Sequence, residues 1–280
     1  MIIWIASYPK SGNTWIRSFL TAYYFCENGI FDINKLNLIE DYPNKQFFKE
    51  KVKQGEIHKH WETSQKNIRD QKKVKFLKTH NSLIAAFGNN FTKPEYTLGV
   101  IYVIRDPRNV ITSVKNHNDL DSYDEALKFM QDENKVLEDY PHLKNYAKTN
   151  IVNSWRINYR SWLSNKSFRR VTIRYEDMVK NPTQTFEKLV VFVNTLMRFD
   201  SKIDQKKLNN AIDTTNFKSL QNIENAGKFG ENVYSLKDNR KIKFFYQGPE
   251  NDWKKNLDES MIKKMNEYYQ NDLKFFKYEN

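Results

Sequence analysis

Trp4-Ile5-Ala6-Ser7-Tyr8-Pro9-Lys10-Ser11-Gly12-Asn13-Thr14-Trp15-Ile16-Arg17 passes through three kinds of local structure in one run. The apolar segment Met1 to Ala6 reads as a buried strand. A short polar loop follows, holding Lys10, Ser11, Gly12, Asn13 and Thr14. Trp15, Ile16, Phe19, Leu20 and Tyr23 then recur at helical spacing, which predicts a helix from Asn13 to about Cys26. A strand, a loop of small residues and a helix N-terminus together make an anion cradle. The first N–H groups of the helix lack intrahelical partners, the macrodipole adds partial positive charge, and Gly12 lets a ligand approach the backbone. Lys10 adds a full charge at the rim, and Ser11 and Thr14 add hydroxyl donors. The loop is P-loop-like but does not read G-x-x-x-x-G-K-[ST]: its lysine precedes its only glycine by two positions.

Outward from this loop, strands alternate with helices. Val74 to Lys78 is a short strand, and Tyr96 to Ile104 is nearly continuous in apolar residues, as a strand buried on both faces must be. Asp106-Pro107 opens a helix to about Asn116. Ser122 to Tyr140 reads as an amphipathic helix with Ser122 as N-cap and Glu125 at the capping-box position. Ile151 to Leu163 reads as another, with Trp155, Tyr159 and Trp162 on its core face. Arg170 to Tyr175 is a strand; Thr183 to Met197, Gln205 to Ile212 and Glu259 to Phe276 are helices. The expected fold is α/β, a three-layer sandwich around a central parallel sheet, as one domain over 1–280. Residues 31–72 are polar, lysine-rich and irregular apart from a short helix near Ile33 to Ile39, and are expected to form a cap insertion. The charged, weakly patterned run within 221–247 is expected to act as a lid.

At 280 residues with a net charge of +12, the chain can bury a sizeable core and suits a polyanionic ligand. The same charge would suit nucleic acid or an anionic membrane. A single cysteine, Cys26, excludes an intrachain disulfide framework and a multi-cysteine metal site and suits a reducing compartment; no suitable ligand cluster appears in the sequence, so no metal is expected. No run approaches ~18 apolar residues and the first strand starts at Ile2, which gives the expectation of a soluble, cytoplasmic protein.

Two further constellations stand at predicted strand ends. In a parallel sheet the C-terminal strand ends form the ligand crevice, which places Lys78-Thr79-His80 beside the Lys10 loop. There His80 can take a proton from a hydroxyl nucleophile. Arg105 closes the most buried strand, where a guanidinium can grip a phosphate bidentately, and Ser113 lies eight residues on inside the following helix. His58, His60, His117 and His142 have no comparable setting; for His117 a solvent-exposed helix end is favoured over an approach to the acceptor pocket.

These residues resemble, in order, the sulfotransferases that use 3′-phosphoadenosine 5′-phosphosulfate (PAPS). Tyr8 to Trp15 is similar to their 5′-phosphosulfate loop, Lys78-Thr79-His80 to their K-T-H segment, and Arg105 with Ser113 to their 3′-phosphate site. Arg174-Tyr175-Glu176-Asp177, Thr214-Thr215-Asn216-Phe217 and Trp15 resemble the elements around the adenine. Phe244 to Lys254 resembles F-x-R-K-G-x-x-G-D-W-K and keeps Gly248, but Tyr246 and Gln247 stand where the family has its Arg-Lys pair and Asn251 replaces a glycine. Either Arg240, Lys241, Lys243 or Lys228 compensates, or 3′-phosphate affinity is reduced. The resemblance spans residue 2 to about 255. It implies PAPS as donor and adenosine 3′,5′-bisphosphate (PAP) as product, with His80 as base and Lys10 and Lys78 assisting. It further implies that Lys10, Ser11, Gly12, Asn13, Thr14, Trp15, Arg105, Ser113, Tyr175, Thr215, Phe217 and Gly248 bind the cofactor. The acceptor, a hydroxyl or an amine, is left open among small molecules, carbohydrates, lipids and peptides, with its pocket expected from residues 31–72 and 114–150. A nucleotide kinase is disfavoured by the missing G-K-[ST] and the lack of a magnesium-holding carboxylate. A basic nucleic-acid-binding protein explains the charge but not the ordered anion motifs.

Overall fold

The computed structural model describes residues 1–138, 146–200, 202–231, 233–235 and 237–278. The chain runs β1 (Ile2–Ser7), α1 (Asn13–Phe25), β2 (Glu40–Asp41), α2 (Trp61–Asp70), β3 (Lys75–Thr79), β4 (Ala85–Ala86), β5 (Asn89–Asn90) and β6 (Thr97–Ile104). It continues through α3 (Pro107–His117), α4 (Tyr123–Gln131), β7 (Val136–Leu137), β8 (Asn150–Ile151), α5 (Trp155–Ser164), β9 (Arg170–Arg174), α6 (Tyr175–Lys180) and α7 (Pro182–Met197). Last come α8 (Gln205–Thr214), α9 (Phe217–Asn225), β10 (Val233–Tyr234), β11 (Lys241–Ile242), α10 (Trp253–Asn256) and α11 (Glu259–Phe276).

Five strands form the parallel sheet in the order β2-β3-β1-β6-β9. The continuous apolar runs of β1 and β6 follow from burial on both faces. Ile2, Trp4, Ala6, Val100, Tyr102 and Ile104 enter one core, with Val110 and Ile111 of α3, Trp155 and Trp162 of α5, and Met265 of α11. Ile3, Ile5, Ile101 and Val103 enter the other, with Ile16 and Phe19 of α1, Leu189 and Val193 of α7, and Leu208 of α8. The three expected layers result, and truncating a fully buried ring such as Trp155 to alanine should cost about 3–5 kcal/mol. β1 lies at the centre, with β3 on one side and β6 on the other, so the chain crosses over between them. Ligand crevices open beyond the C-terminal strand ends at such a switch point.

Several local expectations need correction. The helix expected over Ser122 to Tyr140 ends at Gln131. Ala126, Leu127 and Met130 bury its apolar stripe, but Glu133 and Asn134 at the next positions are polar and offer nothing to bury. Tyr140 and His142 lie outside the described residues. The helix expected from Ile151 begins at Trp155, with Ser154 as N-cap, because Ile151 pairs with Val136 between strands. The stretch 31–72, expected to be irregular, contains α2 and supplies β2 to the sheet edge; Tyr42 and Trp61 are fully enclosed in the first core. Helix α9 occupies Phe217–Asn225, where weak patterning had suggested loop from residue 221 onward. Among the described residues, no helix is long and apolar enough to cross a membrane.

Candidate active site

The cradle forms because Lys10 and Gly12 both adopt positive φ, 65° and 101°, which turns the chain sharply into α1. Gly12 is required twice over: that backbone conformation favours glycine, and a Cβ there would lie 2.7 Å from Cδ2 of Tyr175. The carbonyl of Gly12 accepts the first helical bonds, from the N–H groups of Trp15 and Ile16, so those of Asn13 and Thr14 precede the hydrogen-bonded ladder. Asn13 pins the turn to β1 by donating from Nδ2 to the carbonyl of Ile5 at 3.0 Å and to Oγ of Ser7 at 3.1 Å. Lys10 places its ammonium 3.9 Å from the centroid of the Phe244 ring and 3.3 Å from Nδ1 of His117. Burial lowers its pKa to about 7; Glu231 opposes the shift, while Lys78 and Arg105 reinforce it.

Lys78 and His80 stand at the end of β3, as expected. His80 Nδ1 is 2.9 Å from the carbonyl oxygen of Ser7. A carbonyl can only accept, so Nδ1 carries the proton and Nε2 is left as the lone-pair nitrogen. Burial holds the imidazole well below its ordinary pKa, with the charge of Lys78 adding to the effect. Lys78 is paired with Asp41 at 3.1 Å. Burial would raise the Asp41 carboxyl, but Lys78 and Arg17 outweigh it and hold it ionised.

Arg105 directly follows β6, with its guanidinium over the Tyr175 ring at 4.0 Å. It donates from Nη1 to Oγ of Ser113 at 3.3 Å and from Nη2 to the carbonyl of Gly248 at 3.0 Å, while its buried Nε has no partner. Arg105 and Ser113 meet because α3 starts only three residues after β6 ends, with Asp106 capping it. Gly248, at φ 55°, sits where a Cβ would strike the ring of Phe217 at 2.2 Å.

One cavity of 380 Å³ gathers most of the expected site: Lys10, Gly12 to Trp15, Lys78, His80, Arg105, Ser113, Tyr175, Phe217 and Gly248 all line it. Two expected residues are elsewhere. Ser11 is in the loop but fully enclosed behind it, and Thr215 is buried with its hydroxyl donated to the carbonyl of Ala211 at 2.6 Å. Trp15 and Phe217 both reach the lining, Trp15 packing edge-on against Tyr175 and Phe217 against Phe245. Arg240, Lys241, Lys243 and Lys228 are absent from it, and Arg240 is paired with Asp119. His117 is corrected from exposed helix end to cavity wall, with burial pushing its pKa far down. Sequence reasoning also missed Asp41, Phe244, Lys148 and Asn150. For Asp41, Lys148 and Asn150 only the segments 31–72 and 114–150 had been marked, and Phe244 had been quoted only as the start of the Phe244 to Lys254 motif; no local pattern singles the residues out as cavity wall.

The donor set fits a nucleotide polyanion. Arg105 Nε and Trp15 Nε1, both on lining residues, are buried without partners, and Lys10 is a cation kept near neutrality by desolvation. This site on this fold defines a phosphate-anchoring group-transfer enzyme. The model of the sulfotransferase domain matches residues 2–277, and the chain belongs to that family as a PAPS-dependent enzyme transferring a sulfuryl group. Mouse sulfotransferase 1 family member D1 is 25% identical over 95% of this chain and 81% of its own. Human sulfotransferase 1E1 is 25% identical over 96% and 83%, and flavonol 3-sulfotransferase of Flaveria bidentis 25% over 94% and 78%. Among solved structures, a mouse sulfotransferase complexed with PAP superposes with a TM-score of 0.58, at 17% identity over 98% of this chain and 84% of that one. Retinol dehydratase in a complex with retinol and PAP gives 0.60, at 16% identity over 98% and 81%.

Proposed function

We propose that His80 is the general base of sulfuryl transfer to a hydroxyl or amine acceptor. The observation that carries this is the 2.9 Å contact of His80 Nδ1 with the Ser7 carbonyl, which commits the other nitrogen to accept a proton at the cavity. Bound PAPS supplies the activated sulfuryl group and leaves as PAP. Nε2 of His80 takes the acceptor's proton as the acceptor lone pair forms the new bond to sulfur. Lys10 neutralises the charge left on the 5′-phosphate oxygen when the old S–O bond breaks, helped by Lys78 and the N–H groups of Gly12 to Thr14. Arg105 and Ser113 hold the 3′-phosphate, and Trp15, Tyr175, Phe217 and Gly248 flank the base. Lys10, Lys78 and the backbone donors furnish the positive charge, so the reading needs no metal.

Residues 221–247 act as a lid in this reading, supported by the ion pair of Glu231 with Arg17 and by the bonds from the Phe244 and Phe245 N–H groups to Glu224. The cap role of 31–72 is supported by Asp41 reaching Lys78. We take the acceptor to be a small molecule and the site of action to be the cytoplasm. His80→Ala should keep PAP binding nearly intact and lower turnover by roughly 10²-fold or more. Normal turnover on a hydroxyl acceptor would remove His80 from the role. PAP should raise the melting temperature well above ADP or ATP at equal concentration; equal shifts would favour a kinase.

A further inference from the structure

A second cavity, of 310 Å³, adjoins the first and shares Lys78, His80, His117, Lys148, Asn150 and Phe244 with it. None of Lys10 to Trp15 lines it, nor does Arg105; its own walls come from Asp41 to Pro43 and from Gly230, Glu231 and Val233. The nucleotide anchors therefore fill the first cavity, and the second reaches the same histidine from outside them.

Its polar groups carry both hydrogen-bond senses. Asp41 is balanced by Lys78 and Glu231 by Arg17, each through one carboxylate oxygen. The second oxygen of each makes no hydrogen bond among the described residues. His117 receives the Lys10 ammonium at Nδ1, so in its neutral form its proton is on Nε2, a donor. His80 Nε2 is an acceptor. A phenol or a sterol brings one hydroxyl, and its rings would strip water from two carboxylates and an imidazole without replacing it. A polyol answers each group, because every hydroxyl both donates and accepts. The carboxylate charges are already neutralised within the protein and Lys148, the other ionic group of this lining, is itself engaged, so the acceptor need bring no compensating charge.

We propose that this cavity selects a neutral polyhydroxylated acceptor, a sugar or cyclitol with adjacent hydroxyls, and presents one of them to His80. This rests on the sulfuryl-transfer reading above. Rates with radiolabelled PAPS would compare methyl glycosides and a cyclitol with 2-naphthol and a long-chain alkanol, with PAP binding measured on the same protein. At least one polyol should exceed 2-naphthol in kcat/KM by roughly 10²-fold or more, since a site built to hydrogen-bond hydroxyls rejects ligands that lack them. With rates taken at saturating PAPS, Glu231→Gln should raise the polyol KM about tenfold while the KM for 2-naphthol stays within twofold, whereas loss of the Arg17 pair or of charge support at Lys10 would move PAP affinity and both acceptor KM values together. Preference for 2-naphthol, no polyol turnover by a PAP-binding enzyme, or an unaltered polyol KM in Glu231→Gln overturns the acceptor inference and leaves sulfuryl transfer standing. Failure to bind PAP overturns both.

Discussion

The loop from Lys10 to Trp15 and the segment from Phe244 to Gly248 line the same cavity, yet they meet a ligand by opposite means. The loop offers unpaired helix N–H groups, a positive helix end and a lysine, so anion binding there is fixed largely by backbone shape. The segment offers a carbonyl already taken by Arg105, a half-exposed Tyr246 and a Gln247 bonded to Asn256 at 3.3 Å. In the binding mode proposed above, positive charge is therefore concentrated at the 5′ end of the cleft, and the 3′ end depends on Arg105 and Ser113. The difference shows how a fold can over-determine one half of a nucleotide site while the other half rests on a few side chains.

The comparison breaks first at Lys10. Lys10→Met keeps much of the stem and removes the charge that matters as the S–O bond opens, so kcat should fall by about 10²-fold or more. PAP affinity should fall only modestly, since backbone donors and Arg105 remain. Lys73→Met changes the net charge equally at an exposed position between α2 and β3 and should leave turnover near normal. Equal losses at both positions would mean that diffuse potential, not the loop, governs activity.

Gly12→Ala tests whether backbone shape carries the 5′ half. The new methyl must relieve a 2.7 Å approach to Tyr175 at an unfavourable φ, costing about 1–3 kcal/mol, and Tyr175 supports Arg105. We expect a lower melting temperature and PAP binding weakened roughly tenfold or more. A variant with wild-type stability and affinity would show that the turn is not tight.

What could be read beforehand follows the same division. The β1–loop–α1 unit, the Asp106-Pro107 start of α3 and the strand ends at His80 and Arg105 are contiguous patterns, and each folds from local rules. The cleft's far wall is not contiguous. Arg17 meets Glu231 across 214 positions, Asp41 meets Lys78 through strand pairing, and His117 becomes a wall residue only because Phe244 packs edge-on against it. Thr215 shows the limit of motif matching: the Thr-x-Phe pattern is present, but only Phe217 reaches the cavity because the Thr215 hydroxyl returns to its own helix. The end of α4 was misplaced because polarity at Glu133 and Asn134 had been outweighed by the regular stripe before them.

Restoring charge to the weaker half should sharpen the comparison. Tyr246→Arg with Gln247→Lys puts two cations on positions that already line the cavity. PAP affinity should rise about tenfold and become more salt-sensitive, while affinity for adenosine 5′-phosphate, which lacks the 3′ group, should change little. Equal gains for both ligands would place these residues away from the 3′-phosphate.

The smallest expected signal concerns the proton on Lys10. Burial lowers its pKa to about 7 in the free protein, whereas the unfolded chain keeps an ordinary lysine near ~10.4. Between those values the native state binds fewer protons than the unfolded one, so this group makes ligand-free stability rise with pH through that window. A bound polyanion favours the charged ammonium and reverses the shift, so PAP affinity should fall over the same range. His80 and His117, both depressed far below ordinary histidine values, remain neutral near pH 8 and add little there. Calorimetry of PAP binding at pH 8, in buffers of different ionisation enthalpy, should therefore register uptake of just under one proton. Lys10→Met should abolish that uptake and flatten both opposing pH slopes. Uptake that survives in the variant would assign the proton elsewhere and show that the loop lysine is charged before the nucleotide arrives.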